Sequence, residues 1–398
     1  MTRPSIAIMV VAGSLSVLPS GGSGSPELPG WRAAERVFHE QARAAGIVGS
    51  SVVVVRDGVV AATATDGYQD LDAKRAVDAE TIFHWASITK TFTGIAIMQL
   101  RDRGLLALDD SIVKHVPEFR HVHNPFGDPA QVTIRHMMTH SSGLRAPTWP
   151  WGGDQPWHPF EPTAWDQLVA MLPYTQLNFA PGTKYSYSNP GVIFLGRIIQ
   201  LLSGEDYEVY VTKNILMPLG MHASFFDRAP YHLLAHRSHS YVRNDDGLSE
   251  ARFDFDTGIT VSNGGLNAPL GDMAKYLAFL VGDARRPDYD GILKRSSLEE
   301  MWKPQIRATD GEGATGNAAQ AGLSFFLERH AGLDFVAHSG DQNGFISHLY
   351  VHRPTRTAYV ASFNTDVSAS KTTPARLTTK QVDAAVRDAI IREVLAAR

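Results

Sequence analysis

The chain of 398 residues is long enough to bury a sizeable core as one large domain or two closely packed ones. Hydrophobic residues make up 43% and charged residues 20%, the balance of an ordinary globular protein. A net charge of −4 with scattered basic residues argues against a nucleic-acid partner, and the absence of cysteine excludes disulfides, thiolate catalysis and Cys-ligated zinc.

The first 25 residues combine Arg3, an apolar run from Ile6 to Leu18 and a small-residue exit, Pro19 to Ser25. That pattern reads as a secretory leader, and the apolar run is too short for a stable membrane span. A periplasmic or secreted location is the expectation, or a cytoplasmic one if the leader is not a signal peptide. A helix is predicted from Trp31 to Ala45, stopped by Gly46. Two β-rich runs, Ser50–Arg56 and Val59–Thr65, flank Asp57-Gly58, a strong hairpin signal.

Next comes Phe83-His84-Trp85-Ala86-Ser87-Ile88-Thr89-Lys90 at the start of an apolar helical run ending near Gly104. With the helix beginning near Ser87, positions i and i+3 share one face about 5–6 Å apart at Cβ. A hydroxyl and an amine at that spacing can exchange a proton, and a serine is a poor nucleophile until a base takes its proton. A serine at a helix start also reads as a simple N-cap. A further helix is expected from Thr133 to Thr139, leading into His140-Ser141-Ser142-Gly143-Leu144.

The stretch from Ala146 to Trp165 is dense in proline and glycine and holds Trp149, Trp151, Trp157 and Trp165, four of the seven tryptophans. Proline at this density predicts an irregular loop. Its indoles suit either a flap packed on its own core or a wall over a cleft. Helical patterns resume at Ala164–Leu172, Val192–Leu202 and Asp206–Ile215. Polar, irregular chain is expected from His222 to Phe255, then a helix from Asp272 to Phe279 preceded by Asn263-Gly264-Gly265. Strands are predicted at Gly322–Glu328, Phe335–His338, Phe345–His352 and Thr357–Phe363, and a last helix from Thr379 to Ala397.

A lysine serves as base only near the working pH. Bringing it from about 10.4 to about 7 takes ~4.6 kcal/mol of differential stabilisation, and a neighbouring phenol sharing the proton is another route. Thr183 to Gly191 supplies a phenol in Tyr187. Tyr187 and Asn189, two apart in extended chain, point to one side; Asn189 also reads as a cap for the helix begun by Pro190. His338-Ser339-Gly340 ends a strand before Asp341, and a glycine in an edge strand admits a substrate backbone.

Ser87-x-x-Lys90, Tyr187-x-Asn189 and His338-x-Gly340, in that order, resemble the class C serine β-lactamases, D,D-peptidases and related esterases of family VIII. The likeness extends to Thr139–Leu144 and Asn263–Gly265. It implies an α+β fold: an antiparallel sheet flanked by the N- and C-terminal helices, with an inserted, mostly helical domain. Residues 26–86 and 266–398 would form the sheet domain and residues 87–265 the helical one, with the site between them. The resemblance implies Ser87 as acylated nucleophile and Lys90 and Tyr187 as sharing acid/base duty. Asn189 and His338 would line the substrate, and the backbone N–H groups of Ser87 and Asp341 would form the oxyanion hole with Gly340 shaping it. Trp149, Trp151 and Trp157 would wall the cleft.

Histidine at 338 departs from the lysine of many β-lactamases and weakens the hold on a substrate carboxylate. The expected activity is hydrolysis of small esters or amides through a Ser87 acyl-enzyme. A D,D-carboxypeptidase, D-amino-acid peptidase or weak β-lactamase is the nearest alternative, and a penicillin-binding sensor without turnover the alternative of another class. No G-x-S-x-G elbow and no H-E-x-x-H is present, so neither metal nor cofactor is expected. The partner is a small ester, amide or peptide, and the oligomeric state stays open.

Overall fold

The computed structural model describes residues 28–144, 162–251, 256–308 and 318–396. The leader and the cleft-wall tryptophans Trp149, Trp151 and Trp157 lie outside the described residues.

The described residues form fifteen strands. In chain order they are β1 (Gly49–Arg56), β2 (Val59–Asp70), β3 (Arg75–Ala76), β4 (Ile82–His84), β5 (Phe225–Phe226), β6 (Ser240–Asn244), β7 (Gly247–Ala251), β8 (Leu266–Pro269), β9 (Ile306–Arg307), β10 (Ala318–Ala321), β11 (Phe326–His330), β12 (Leu333–Gln342), β13 (Phe345–His352), β14 (Thr357–Phe363) and β15 (Thr365–Val367). Nine of them form one antiparallel sheet in the order β3-β2-β1-β14-β13-β12-β11-β10-β9. The two ends of the chain meet where β1 pairs with β14, Val52 opposite Ala361 and Val54 opposite Tyr359.

Both faces of β1 are buried, which explains its unbroken run of valines. Val52 and Val54 pack with Phe38, Val382 and Val386 under the first and last helices, Trp31–Ala45 and Thr379–Ala389. Val53 and Val55 face the larger core on the other side, with Phe92, Phe194 and Leu277. The first helix ends where Gly46, at φ 71°, donates to Arg43 O and Ile47 donates to Ala42 O, a left-handed cap suited to glycine.

The helix Thr89–Asp102 runs through the middle of the larger core. All of its residues from Thr89 to Leu100 are buried, so its apolar character is not confined to one stripe. Phe92 stacks on Tyr276 at 4.1 Å, and the Tyr276 hydroxyl donates to Thr91 Oγ1 at 2.7 Å. Among the described residues no helix is long and apolar enough to cross a membrane.

Several local expectations are corrected. The segment predicted irregular between His222 and Phe255 contains the β6–β7 hairpin, which adds to β15 as a small sheet. The strand expected at Gly322–Glu328 is Phe326–His330. The helix expected over Asp206–Ile215 is α-helical only to Val211 and then widens into a π turn, Thr212–Leu216. Pro218 has no N–H to give Asn214 O, and that carbonyl instead accepts from Gln99 Nε2 at 3.1 Å. The last helix likewise turns to π geometry at Ile390–Leu395.

Candidate active site

The serine of S-x-x-K is not inside the α-helix. Ala86–Ile88 form a single 3-10 turn, and the α-helix starts at Thr89. Ala86 sits at φ 45°, a left-handed conformation that costs an L-residue roughly 1–2 kcal/mol. The turn is held in that shape from β8. Trp85 N–H donates to Leu266 O at 2.9 Å, the Trp85 indole to Ala268 O at 2.9 Å, and Leu266 N–H to Thr89 Oγ1 at 3.0 Å.

Lys90 Nζ donates to Ser87 Oγ at 2.8 Å and to Asn263 O at 2.7 Å. The lysine is 1% exposed, so its amine is committed to these neighbours rather than to bulk water. Asn263, in the short helix Val261–Gly264, thus contributes a backbone carbonyl, a role its sequence does not announce. Thr93 Oγ1 anchors the same short helix by donating to Ser262 O at 2.6 Å.

Tyr187 reaches the same serine from the other side. Its phenol neighbours the Ser87 hydroxyl, and Lys90 Nζ lies 5.0 Å from the ring centre. Burial pushes the phenol well above its ordinary value, and the neighbouring Ser87 hydroxyl offsets this only partly. Tyr187 is therefore protonated at neutral pH. Ser188, not Asn189, caps the following helix, Asn189–Ser203: its Oγ accepts from Gly191 N–H at 3.1 Å, with Pro190 in the first turn. Asn189 is thereby released from capping. Its Oδ1 is buried with no hydrogen-bond partner among the described residues.

His338 and Gly340 lie on β12, which is an interior strand and not an edge strand. Its pairing with β11 stops at Ala337, opposite Phe326, whereas β13 accompanies it to Gln342. Residues 338–342 consequently have one side without a strand partner. Gly340 packs on the Ser87 turn so closely that a Cβ there would meet Trp85 O at 2.3 Å and Ala86 Cβ at 3.2 Å. Beyond it, Gln342 Oε1 lies 3.1 Å from His84 Nε2 and ties the end of the strand to β4. The Asp341 carboxylate pairs with Lys380 of the last helix at 2.8 Å, which leaves the residue's backbone as its contribution to the site.

The His338 ring is buried and neutral, pushed down to about 3 by burial and then by the Lys90 charge. Nδ1 lies 2.8 Å from Ser339 O, so it carries the proton, and Nε2 is buried with no partner among the described residues. The described residues hold no group of three or more His, Asp or Glu side chains placed to bind a metal.

The structure thus brings Ser87, Lys90, Tyr187 and the 338–341 segment to one place, at the seam between the Thr89–Asp102 helix and β12. It also adds two aromatic side chains to which the sequence motifs assign no role, His140 and Phe326. Phe326 lies 5.1 Å from the His338 ring and 6.4 Å from the Tyr187 ring, centre to centre.

A match to the Beta-lactamase family model runs over residues 34–383. The chain belongs to the beta-lactamase family. Protein flp of Staphylococcus aureus strain NCTC 8325 is 33% identical over 190 residues, which is 45% of this chain and 35% of the relative. The chain therefore spans about a third of the length of that curated relative. Among solved structures, the octameric penicillin-binding protein homologue from Pyrococcus abyssi is 26% identical with a TM-score of 0.73, covering 91% of this chain and 77% of the other. D-amino acid amidase from Ochrobactrum anthropi SV3, complexed with L-phenylalanine amide, is 22% identical with a TM-score of 0.73, covering 91% and 99%. At that identity the amidase shares the fold, and family membership rests on the match across most of the chain.

Proposed function

We propose that this family member is a serine hydrolase that cleaves small esters or amides through an acyl-enzyme on Ser87. The observation that carries the reading is the buried Lys90 amine 2.8 Å from the Ser87 hydroxyl, with the Tyr187 ring centre 5.0 Å from the same amine. Ser87 Oγ attacks the substrate carbonyl carbon as its proton passes to the neutral form of Lys90. Tyr187, held protonated by burial, hands a proton to the leaving alcohol or amine and is re-protonated through Lys90. Water then attacks the acyl ester by the reverse path, releasing the acid and free Ser87.

The backbone N–H groups of Ser87 and Asp341 are the proposed oxyanion donors. The close seating of Gly340 on the Ser87 turn supports this, because it brings that backbone to the nucleophile. Asn189 offers the substrate an unpaired side-chain carbonyl oxygen. His338 is assigned to the floor of the site and carries no charge with which to hold a carboxylate. That favours uncharged substrates over β-lactams. Trp149, Trp151 and Trp157 remain the proposed cleft wall.

A second reading, hydrolysis of D-amino-acid amides or peptides, is favoured by the likeness to the Ochrobactrum amidase over nearly its whole length. Parallel assays on p-nitrophenyl butyrate, D-phenylalanine amide and nitrocefin separate ester, amide and β-lactam hydrolysis. A penicillin adduct that forms without turnover of any of the three would instead indicate a sensor. Unchanged turnover in Ser87→Ala would exclude the proposed nucleophile.

A further inference from the structure

The T-H-S-S-G-L stretch forms no part of the proton path just described, yet it is clamped to the segment that carries Tyr187. Four hydrogen bonds join the two. Gly143 O accepts from Asn178 N–H at 2.8 Å, Ser141 O from Gly182 N–H at 2.8 Å, His140 O from Ser186 N–H at 2.8 Å, and His140 Nδ1 from Ser188 N–H at 3.1 Å. The last two bracket Tyr187 on both sides, and both end on one residue.

His140 can do this because of its backbone. It sits at φ 55°, a left-handed turn just after the helix Ile134–Met138, and Ser324 N–H fixes that helix end by donating to Met138 O at 2.8 Å. The turn presents the carbonyl and the ring of His140 to the same strip of chain. The imidazole stacks on the Tyr187 phenol with ring centres 4.4 Å apart and planes at 29°. Phe326 lies beside both rings, 6.2 Å from the imidazole at 15° and 6.4 Å from the phenol at 28°, and Tyr185 meets the imidazole edge to face at 6.0 Å.

The tautomer follows from the donor. A backbone N–H can only donate, so Nδ1 is bare and the imidazole proton sits on Nε2. A protonated ring could not accept from Ser188. Burial, and then the nearby Lys90 charge, keep His140 neutral by holding it well below the usual histidine range.

We infer that His140 is a positioning residue for Tyr187: ring and carbonyl together hold the phenol at the angle from which it reaches Ser87. The inference rests on the proposed role of Tyr187, and its test separates the two. Misplacing a catalytic group by an ångström lowers the chemical step without weakening binding as much. On p-nitrophenyl butyrate, His140→Ala is expected to lower kcat by about 10–100-fold while KM changes less than about threefold. His140→Asn keeps an acceptor near the place of Nδ1 and tolerates the left-handed backbone, so it should recover at least about a third of the lost factor on a logarithmic scale.

The deciding readout is the double-mutant cycle. In a Tyr187→Phe background the further change His140→Ala should cost less than about threefold, because the group it positions is already gone. Should His140→Ala fail to fold by far-UV circular dichroism, the cycle is run with His140→Phe, which keeps a ring but leaves Ser188 N–H unpaired, and the same non-additivity is expected. A loss of equal factor in both backgrounds, or a loss confined to KM, would overturn the inference. A Tyr187→Phe protein of normal rate would instead overturn the catalytic role of Tyr187.

Discussion

Gly340→Ala isolates the seating of β12 on the nucleophile turn. A methyl group there would lie 2.3 Å from Trp85 O, 2.5 Å from Ser347 Oγ and 3.2 Å from Ala86 Cβ. Carbon–oxygen contacts settle at about 3.3 Å or more, so strand and turn must part by about 1 Å. The serine hydroxyl can rotate away. Trp85 O cannot move cheaply, because it accepts from Ile88 N–H at 3.1 Å inside the 3-10 turn that presents Ser87. The strand therefore yields, carrying the backbone of Asp341 with it.

Loss of one oxyanion donor costs about 10²–10³ in rate, and overpacking of this kind costs about 1–3 kcal/mol of stability. The assay is kcat/KM on p-nitrophenyl butyrate beside urea unfolding of the same preparation. Gly271→Ala is the matched control. It lies in the helix Leu270–Val281, where an added methyl would have nothing within 4 Å, and should gain about 0.5–1 kcal/mol without loss of rate. A Gly340→Ala enzyme within threefold of wild type and of unchanged urea midpoint would refute the steric reasoning.

Two further outcomes are expected. Tyr187→Phe should lower kcat/KM by about 10²–10⁴ if the phenol does acid/base work, measured on the same ester; a rate within threefold of wild type would remove it from the mechanism. On the opposite face of the sheet, His348 Nδ1 lies 2.8 Å from Asp383 and Nε2 lies 3.8 Å from Glu328. Burial alone would lower the imidazole, but the Asp383 carboxylate overrides it and, with Glu328, raises it to about 9. Because that value lies above the unfolded chain's roughly 6.5, the imidazolium stabilises the fold fully below pH 6.5 and loses this contribution as pH rises towards 9. Urea midpoints should thus fall more steeply across that window in wild type than in His348→Gln, and parallel slopes would contradict the assignment.

The large elements were legible because their signals are local. The valine run around Asp57-Gly58 announced the hairpin that pairs the N-terminal part of the chain with β14, and Gly46 announced the end of the first helix. The β6–β7 hairpin was not legible, although Asn244-Asp245-Asp246-Gly247, which closes it, is rich in turn-forming residues. Its strands are polar and partly exposed, and β6 is held by a parallel partner, β15, more than a hundred residues away in the chain.

The site divides in the same way. Ser87 and Lys90 could be paired from their spacing, since three residues at a helix start fix their separation. Tyr187 and His338 could be attached only through the order of three motifs. Ser188 rather than Asn189 proved to be the cap because the extended chain continues one residue less far than the proline suggested. The carbonyl of Asn263 and the ring of His140 act through backbone geometry and stacking between distant segments, and residue identity alone carries no signal for either.

The central claim, covalent catalysis on Ser87, is tested most directly by intact-protein mass spectrometry after reaction with a fluorophosphonate, followed by peptide mapping, beside ester turnover of Ser87→Ala. The expected result is one phosphonyl adduct on the peptide containing Ser87, with neither labelling nor turnover in Ser87→Ala. An adduct on another residue, or turnover that survives the substitution, would contradict it.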